Sequence, residues 1–111
     1  MRGRSKRRYL VFKLSGSHLN EREVRKLIVA SVLKYYGLKG YGDSLPRLAY
    51  FDRERVAGVI ACLKEGVDVI RSSLALISKY KGKEVRLETL KITGTLRKAI
   101  RIVRSLTPTG S

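Results

Sequence analysis

The stretch VRLETLKITGTLRKAIRIVR, residues 85–104, places a strand, a glycine turn and a short basic helix in direct succession. Its first half alternates apolar and polar residues as a strand does, and Thr95 stands where a hydroxyl can cap the first turn of a helix. The apolar parity slips between Leu87 and Leu90, which predicts a β-bulge near Thr89.

The helix after the cap is basic on one side and apolar on the other. Arg97, Arg101 and Arg104 follow at i, i+4 and i+7 and share one face, with Lys98 beside them. The apolar stripe consists of Leu96, Ala99, Ile100 and Val103. Like charges on one face repel each other unless an anion lies across them. The face is therefore either a solvated surface or a contact to a phosphate backbone, and this stretch alone leaves both open.

Charge is the strongest feature of the composition. The 111 residues include 25 Lys and Arg against 9 Asp and Glu, a formal net charge of +16. The length predicts one domain, and 43% hydrophobic residues are enough for a core. A folded domain with this surplus repels itself unless a polyanion relieves it, so nucleic acid is the first partner to consider and an anionic membrane the second.

Membrane and secretory features are missing from the sequence. It has no apolar run of about 18 residues and no signal-peptide cleavage site after the short apolar run at residues 9–14. The single cysteine, Cys62, lies in an apolar run and argues against a disulfide scaffold. We therefore expect a cytoplasmic protein without a membrane partner.

Periodicity predicts an α+β fold. Strands are expected at residues 9–14, 47–52, 56–63 and 85–93, and helices at 20–36, 66–80 and 96–104, with a glycine-rich loop at 37–46. This β-α-β-β-α-β order is that of a ferredoxin-like sandwich, similar to the RNA-recognition motif, with an extra C-terminal helix. Residues 1–8 are expected to be an arm, residues 9–104 the single domain and residues 105–111 a tail.

The arm is strongly basic. It is interpreted as a flexible segment that orders on RNA, with a disordered solubility tail as the alternative. The predicted RNA-binding residues are Arg2, Arg4, Lys6, Arg7 and Arg8 of the arm and Arg97, Lys98, Arg101 and Arg104 of the last helix.

The third strand is apolar on both parities, which predicts a central strand covered on both faces. The predicted helices cover one face, and another protein is expected on the other. The residues assigned to that protein interface are Tyr9, Val11, Val59, Ala61 and Leu63. Because the third strand has no aromatic residue, base stacking is not expected, and recognition should use phosphate contacts and RNA shape.

No set of residues predicts catalysis or metal binding. His18 is the only histidine, there is no Cys-x-x-Cys, and residues 15–18 lack the arginine of the acylphosphatase loop found on this fold. The sequence therefore offers no residues that would support a function as a small-molecule or phosphoester enzyme.

Four short motifs carry a family resemblance. They are RRYL at residues 7–10, GVI at 58–60, IRSSLALI at 70–77 and, most specifically, TGTLRKA at 93–99. With them the chain resembles the ribonuclease P protein component 2 family of the archaeal type.

The resemblance implies a non-catalytic RNA-binding subunit of ribonuclease P, whose RNA removes the 5′ leader of precursor tRNA with magnesium ions, the protein itself binding no cofactor. It also implies a TIM-barrel-like ribonuclease P protein subunit as partner and admits self-association within a heterotetramer. A ribosomal or other structural RNA-binding protein of the same fold is the alternative.

Overall fold

The computed structural model of the chain describes residues 6–108. Its strands are β1 (Arg7–Gly16), β2 (Arg47–Asp52), β3 (Ala57–Leu63), β4 (Lys79–Tyr80) and β5 (Lys83–Thr93). Its helices are α1 (Glu21–Ser44), α2 (Val67–Ala75), which a 3₁₀ turn at Lys64–Gly66 precedes, and α3 (Leu96–Arg104). The order confirms the predicted ferredoxin-like sandwich with an extra C-terminal helix, to which the structure adds the short strand β4.

The strands form one sheet in the order β2-β3-β1-β5-β4, and all neighbouring pairs are antiparallel. The predicted central position of the third strand, β3, is therefore confirmed, and β1 lies beside it at the centre of the sheet. The register between β1 and β5 shifts by one residue, because Val11 pairs with Lys91 whereas Phe12 pairs with Thr89. The predicted bulge is thus present, and Leu90 is the extra residue.

Helices α1 and α2 cover one face of the sheet and enclose the larger core. Strand side chains such as Leu10, Phe12 and Ile60 meet Val24 and Ile28 of α1 there, all at most 1% exposed. Leu10, Phe12 and Leu14 alternate along β1, and all three side chains belong to this core.

Helix α1 begins as predicted but ends later. Asn20 accepts a hydrogen bond from the backbone N–H of Glu23 at 2.8 Å, and Glu23 Oε1 accepts one from Asn20 N at 3.0 Å, which completes a capping box. Gly37 interrupts the helix with φ 70°, after which a second helical segment continues to Ser44. The predicted break at Gly37 is therefore present, but the prediction of a loop is wrong for residues 38–44.

Tertiary packing explains this second segment. Gly40 and Ser44 are buried, and the Ser44 hydroxyl donates to Gly40 O at 2.8 Å. Gly66, in the 3₁₀ turn, lies so close to Ser44 that there is no room for a Cβ between them. Gly40 locally favours a loop but is a close-packing position here, because a Cβ at Gly40 would clash with the Tyr36 side chain; an isolated sequence window does not distinguish the two roles.

Helix α2 is shorter than the predicted span of residues 66–80. It ends at Ala75, and the chain then forms β4, which pairs Lys79 with Glu84 of β5. Lys81 and Gly82 both have positive φ, 51° and 81°, as a tight hairpin turn between antiparallel strands requires. The apolar stripe nevertheless continues to Ile77, which is 7% exposed.

Helix α3 covers the second face of the sheet. Ala99 and Val103 are fully buried against Val11, Ala57 and Val59. Ala61, which lies on the same face, is also 0% exposed. The prediction that Val11, Val59 and Ala61 meet another protein is wrong, because this chain buries them itself. Tyr9 and Leu63 are half-buried, so their assignment to a protein interface stays a prediction.

A polar clamp ties the end of α3 to the β2–β3 turn. Arg55 Nε donates to Leu106 O at 2.9 Å, and Arg55 Nη1 contacts Asp52 Oδ2 at 3.0 Å. Burial opposes ionisation of Asp52, but hydrogen bonds from Arg55 and from the Glu54 N–H outweigh it and hold the Asp52 pKa below its ordinary 3.8. Leu106 also packs against the smaller core beneath α3, so the first part of the predicted tail at residues 105–111 contacts the domain.

Strand β1 begins two residues earlier than predicted. Arg7 pairs with Leu63 and Arg8 with Cys62, so both residues belong to the sheet and not to a flexible arm. The Lys64 N–H donates to Lys6 O at 2.7 Å, which extends the ladder by one more bond. The predicted RNA-binding residues Arg2 and Arg4 lie outside the described residues.

Candidate nucleic-acid interface

The first turn of α3 has the predicted cap and an unfavourable charge. Thr95 Oγ1 accepts from the backbone N–H of Lys98 at 3.2 Å, and Thr93 Oγ1 donates to Thr95 O at 2.8 Å. This turn contains no acidic residue, although Arg97 and Lys98 both lie in it. Because the helix dipole places partial positive charge at this end, the two cations here are destabilising in the absence of an anion.

The cationic side chains of α3 point away from the sheet. Arg97, Lys98, Arg101 and Arg104 are all exposed, whereas Ala99 and Val103 are buried. A depression of about 500 Å³ runs along the helix and is lined by Leu96, Arg97, Ile100, Arg101 and Arg104. Ile100 therefore lies among the arginines, half-exposed, and not in the buried stripe to which its spacing assigned it.

These four cations have no acidic partner in the described part of the chain. The ion pairs found there are Arg25–Glu21, Lys39–Asp43 and Arg55–Asp52, all distant in sequence from α3. The repulsion among Arg97, Arg101 and Arg104 is thus left uncompensated within residues 6–108. This arrangement fits a polyanion better than a surface optimised for the free protein.

Strand register brings the beginning of the described chain to the start of α3. Tyr9 pairs with Thr93, two residues before the cap Thr95, and Arg7 lies two residues further along β1 on the same face as Tyr9. Lys6 and Arg7 are exposed. Arg8 points to the opposite face, is half-buried, and donates to the Arg7 carbonyl at 3.0 Å. Two predicted groups that are about 90 residues apart in sequence thus meet at one end of the sheet.

Two further cations occupy this end without having been predicted. Arg47 begins β2 and Lys64 follows β3, and both are exposed. No sequence motif identifies them, because only the pairing of β2 with β3 and of β3 with β1 brings them close to Arg7.

The described residues show no grouping that would hold a metal ion: nowhere among them do three or more His, Cys, Asp or Glu side chains cluster suitably. His18 lines a depression that includes Glu23, but the carboxylate of Glu23 is engaged in the α1 capping box. Over residues 6–108, none of the helices combines the length and the apolar character needed to cross a bilayer.

The chain matches the model of a known protein family. The model of the Rpp14/Pop5 family matches residues 8–103, from the start of β1 almost to the end of α3. The chain belongs to the Rpp14/Pop5 family.

Similar proteins agree with this membership. Ribonuclease P protein component 2 of Methanocaldococcus jannaschii is 41% identical over 97 residues, which are 86% of this chain and 71% of that protein. The protein of the same name from Pyrococcus horikoshii is 33% identical over 86% of this chain and 80% of its own length. A chain in the cryo-EM structure of yeast ribonuclease MRP has a TM-score of 0.67 at 13% identity, covering 87% of this chain and 80% of that chain, and so shares the fold.

Proposed function

We propose that this Rpp14/Pop5 protein is a non-catalytic subunit of ribonuclease P that binds the ribonuclease P RNA and supports it in removing the 5′ leader of precursor tRNA. The family match and the names of its relatives support the assignment to ribonuclease P. The observation that supports RNA binding is the row of exposed arginines on α3, Arg97, Arg101 and Arg104, without a carboxylate partner in the described chain.

The proposed mechanism is neutralisation of charge. RNA helices that pack together bring phosphates close, and cationic side chains between them lower the repulsion that magnesium ions otherwise screen. The protein would therefore reduce the magnesium concentration that the catalytic RNA needs, without itself binding a cofactor. With about six phosphate contacts, affinity should fall roughly a thousandfold between 50 and 200 mM salt.

We also propose a TIM-barrel-like ribonuclease P subunit as protein partner, self-association within a heterotetramer, and a cytoplasmic location. Since α3 buries Val11 and Val59, the partner surface must lie outside this part of the sheet. Tyr9 and Leu63 are half-buried on the same face, and Tyr9 packs against the α3 core, so the exposed area that they offer a protein partner is small.

Reconstitution tests the proposal. The variant Arg97→Gln/Lys98→Gln/Arg101→Gln should raise the magnesium concentration required for half-maximal cleavage of precursor tRNA by the RNA with its protein subunits. A control, Arg22→Gln/Lys26→Gln/Arg71→Gln, removes the same charge from exposed positions of α1 and α2 and should leave that requirement close to wild type.

Two results would contradict the proposal. One is an equal magnesium requirement for wild type, variant and control. The other is co-purification with ribosomal RNA and no effect on precursor tRNA cleavage, which would favour the structural RNA-binding alternative.

A further inference from the structure

We propose that Arg47 and Lys64 contact RNA and that, with Lys6 and Arg7, they extend the cationic surface of α3 across the strand ends. These four residues are called the strand-end cluster below. The inference rests on the proposed function, since it assumes that ribonuclease P RNA is the ligand. It adds two RNA-contacting residues to the proposed function. It also gives the direction of the bound RNA, one stretch of which would run perpendicular to the strands.

Strand register determines the path that this stretch of RNA would follow from Arg47 to α3. Arg47 of β2 pairs with Ala61 of β3, Ala61 pairs with Tyr9 of β1, and Tyr9 pairs with Thr93 of β5. Neighbouring strands are about 4.8 Å apart, so this row spans roughly 14 Å from Arg47 to Thr93. Side chains at paired positions project from the same face, so Arg47 projects from the face that α3 covers.

The row leads directly into the basic helix. Thr93 is followed by Gly94 and the cap Thr95, after which Arg97 and Lys98 occupy the first turn. Lys64 is tied to the same end of the sheet, because its backbone N–H donates to Lys6 O at 2.7 Å. The strand-end cluster and the first turn of α3 therefore form one surface and not two separate patches.

All four residues of the strand-end cluster are cationic. Lys6, Arg7, Arg47 and Lys64 form no ion pair with any residue in the range 6–108, and the nearest carboxylate in sequence is that of Glu65, which is exposed. The opposite end of the sheet differs, because Arg55 is paired there with Asp52. An extended anion with regularly spaced charges matches the first arrangement and not the second.

Salt dependence of RNA binding tests the two new residues. The variant Arg47→Gln/Lys64→Gln should lower the slope of log Kd against log salt concentration by about 1.4–1.8, the value for two lost phosphate contacts. The control Arg22→Gln/Lys26→Gln loses the same charge from the exposed side of α1 and should keep the wild-type slope. A variant slope equal to that of the control would overturn the inference.

The outcomes separate this inference from the proposed function. If the wild-type protein neither binds ribonuclease P RNA nor lowers its magnesium requirement, the proposed function fails. If the wild-type protein binds the RNA but the Arg47→Gln/Lys64→Gln variant has the same salt slope as the control, the strand-end contact is refuted and the proposed function is not. Circular dichroism of each variant verifies folding, and substitutions at such exposed positions should shift the melting temperature little.

Tethered cleavage tests the continuity of the path. An iron chelate attached through Glu65→Cys, beside Lys64, and another through Gly94→Cys, before α3, should cut the same segment of the RNA. A Cβ at Gly94 meets no atom within 4 Å, so the fold should accept Gly94→Cys. The native Cys62 is 0% exposed and burial raises its pKa to about 11, so labelling should be confined to the introduced cysteine. Cleavage of two unrelated segments, or none, would refute a single path; Lys26→Cys on α1 serves as the control probe.

Discussion

Substitution of Val103 by Ala measures how firmly α3 is docked on the sheet. Val103 is fully buried in the smaller core, together with Val11 and Val59. Losing two methyl groups costs about 1.6 kcal/mol of transfer free energy, and the cavity left behind raises the total to about 2–3 kcal/mol. The full 2–3 kcal/mol appears in the free energy of global unfolding when α3 unfolds together with the rest of the domain.

Equilibrium urea denaturation followed by circular dichroism is the appropriate assay. We expect an unchanged m value and a midpoint lower by about 1–2 M, for an m near 1.5 kcal/mol per M. The neighbouring Arg104→Gln provides the matched control, because Arg104 is exposed and its replacement should change stability by less than about 0.5 kcal/mol. That control should instead lower the salt slope of RNA binding by about 0.7–0.9.

The reasoning is refuted if Val103→Ala is as stable as Arg104→Gln. Such a result would mean that α3 is not held on the sheet in solution. Val11 and Val59 would then be free for another protein, as the sequence pattern alone suggested.

Three other predictions concern the sheet and its ionisable groups. Gly58→Ala should destabilise by about 2 kcal/mol or more in thermal unfolding, because its Cβ would lie 2.5 Å from the Tyr50 carbonyl oxygen; wild-type stability would contradict this close approach. Asp52→Asn should reduce the loss of stability that wild type shows on acidification below about pH 4. The Asp52 pKa is lower in the folded than in the unfolded protein, so the ionised carboxylate stabilises the fold above the unfolded-state pKa, and this stabilisation is lost as the carboxylate becomes protonated. Parallel pH profiles of stability for both proteins would contradict this prediction. Cys62 should resist thiol reagents at pH 8 until urea unfolds the chain, and stability should fall as pH rises from 9 towards 11, because folding favours the neutral thiol; rapid labelling of the native protein would show that the site is open.

Several features of this protein follow from the sequence because their causes are local. The capping residues Asn20 and Thr95 act within one helical turn, and the alternation of β1 depends only on neighbouring residues. The bulge could be predicted for the same reason, since a change of apolar parity within one strand records an extra residue. The separation of α3 into a basic and an apolar side was also visible, although Ile100 proved to lie among the arginines.

Tertiary structure decided what covers the apolar sheet face and where the charges meet. The sequence showed that the side of the sheet carrying Val59 needed a cover, but only the folded chain shows that α3, 40 residues further on, supplies it. Tertiary packing also makes a glycine-rich segment helical. Gly40 and Ser44 are buried in the folded chain, whereas the neighbouring residues alone suggested a loop. Arg47 and Arg7 share one end of the sheet because antiparallel pairing fixes register over long sequence separations, and no local pattern encodes that proximity.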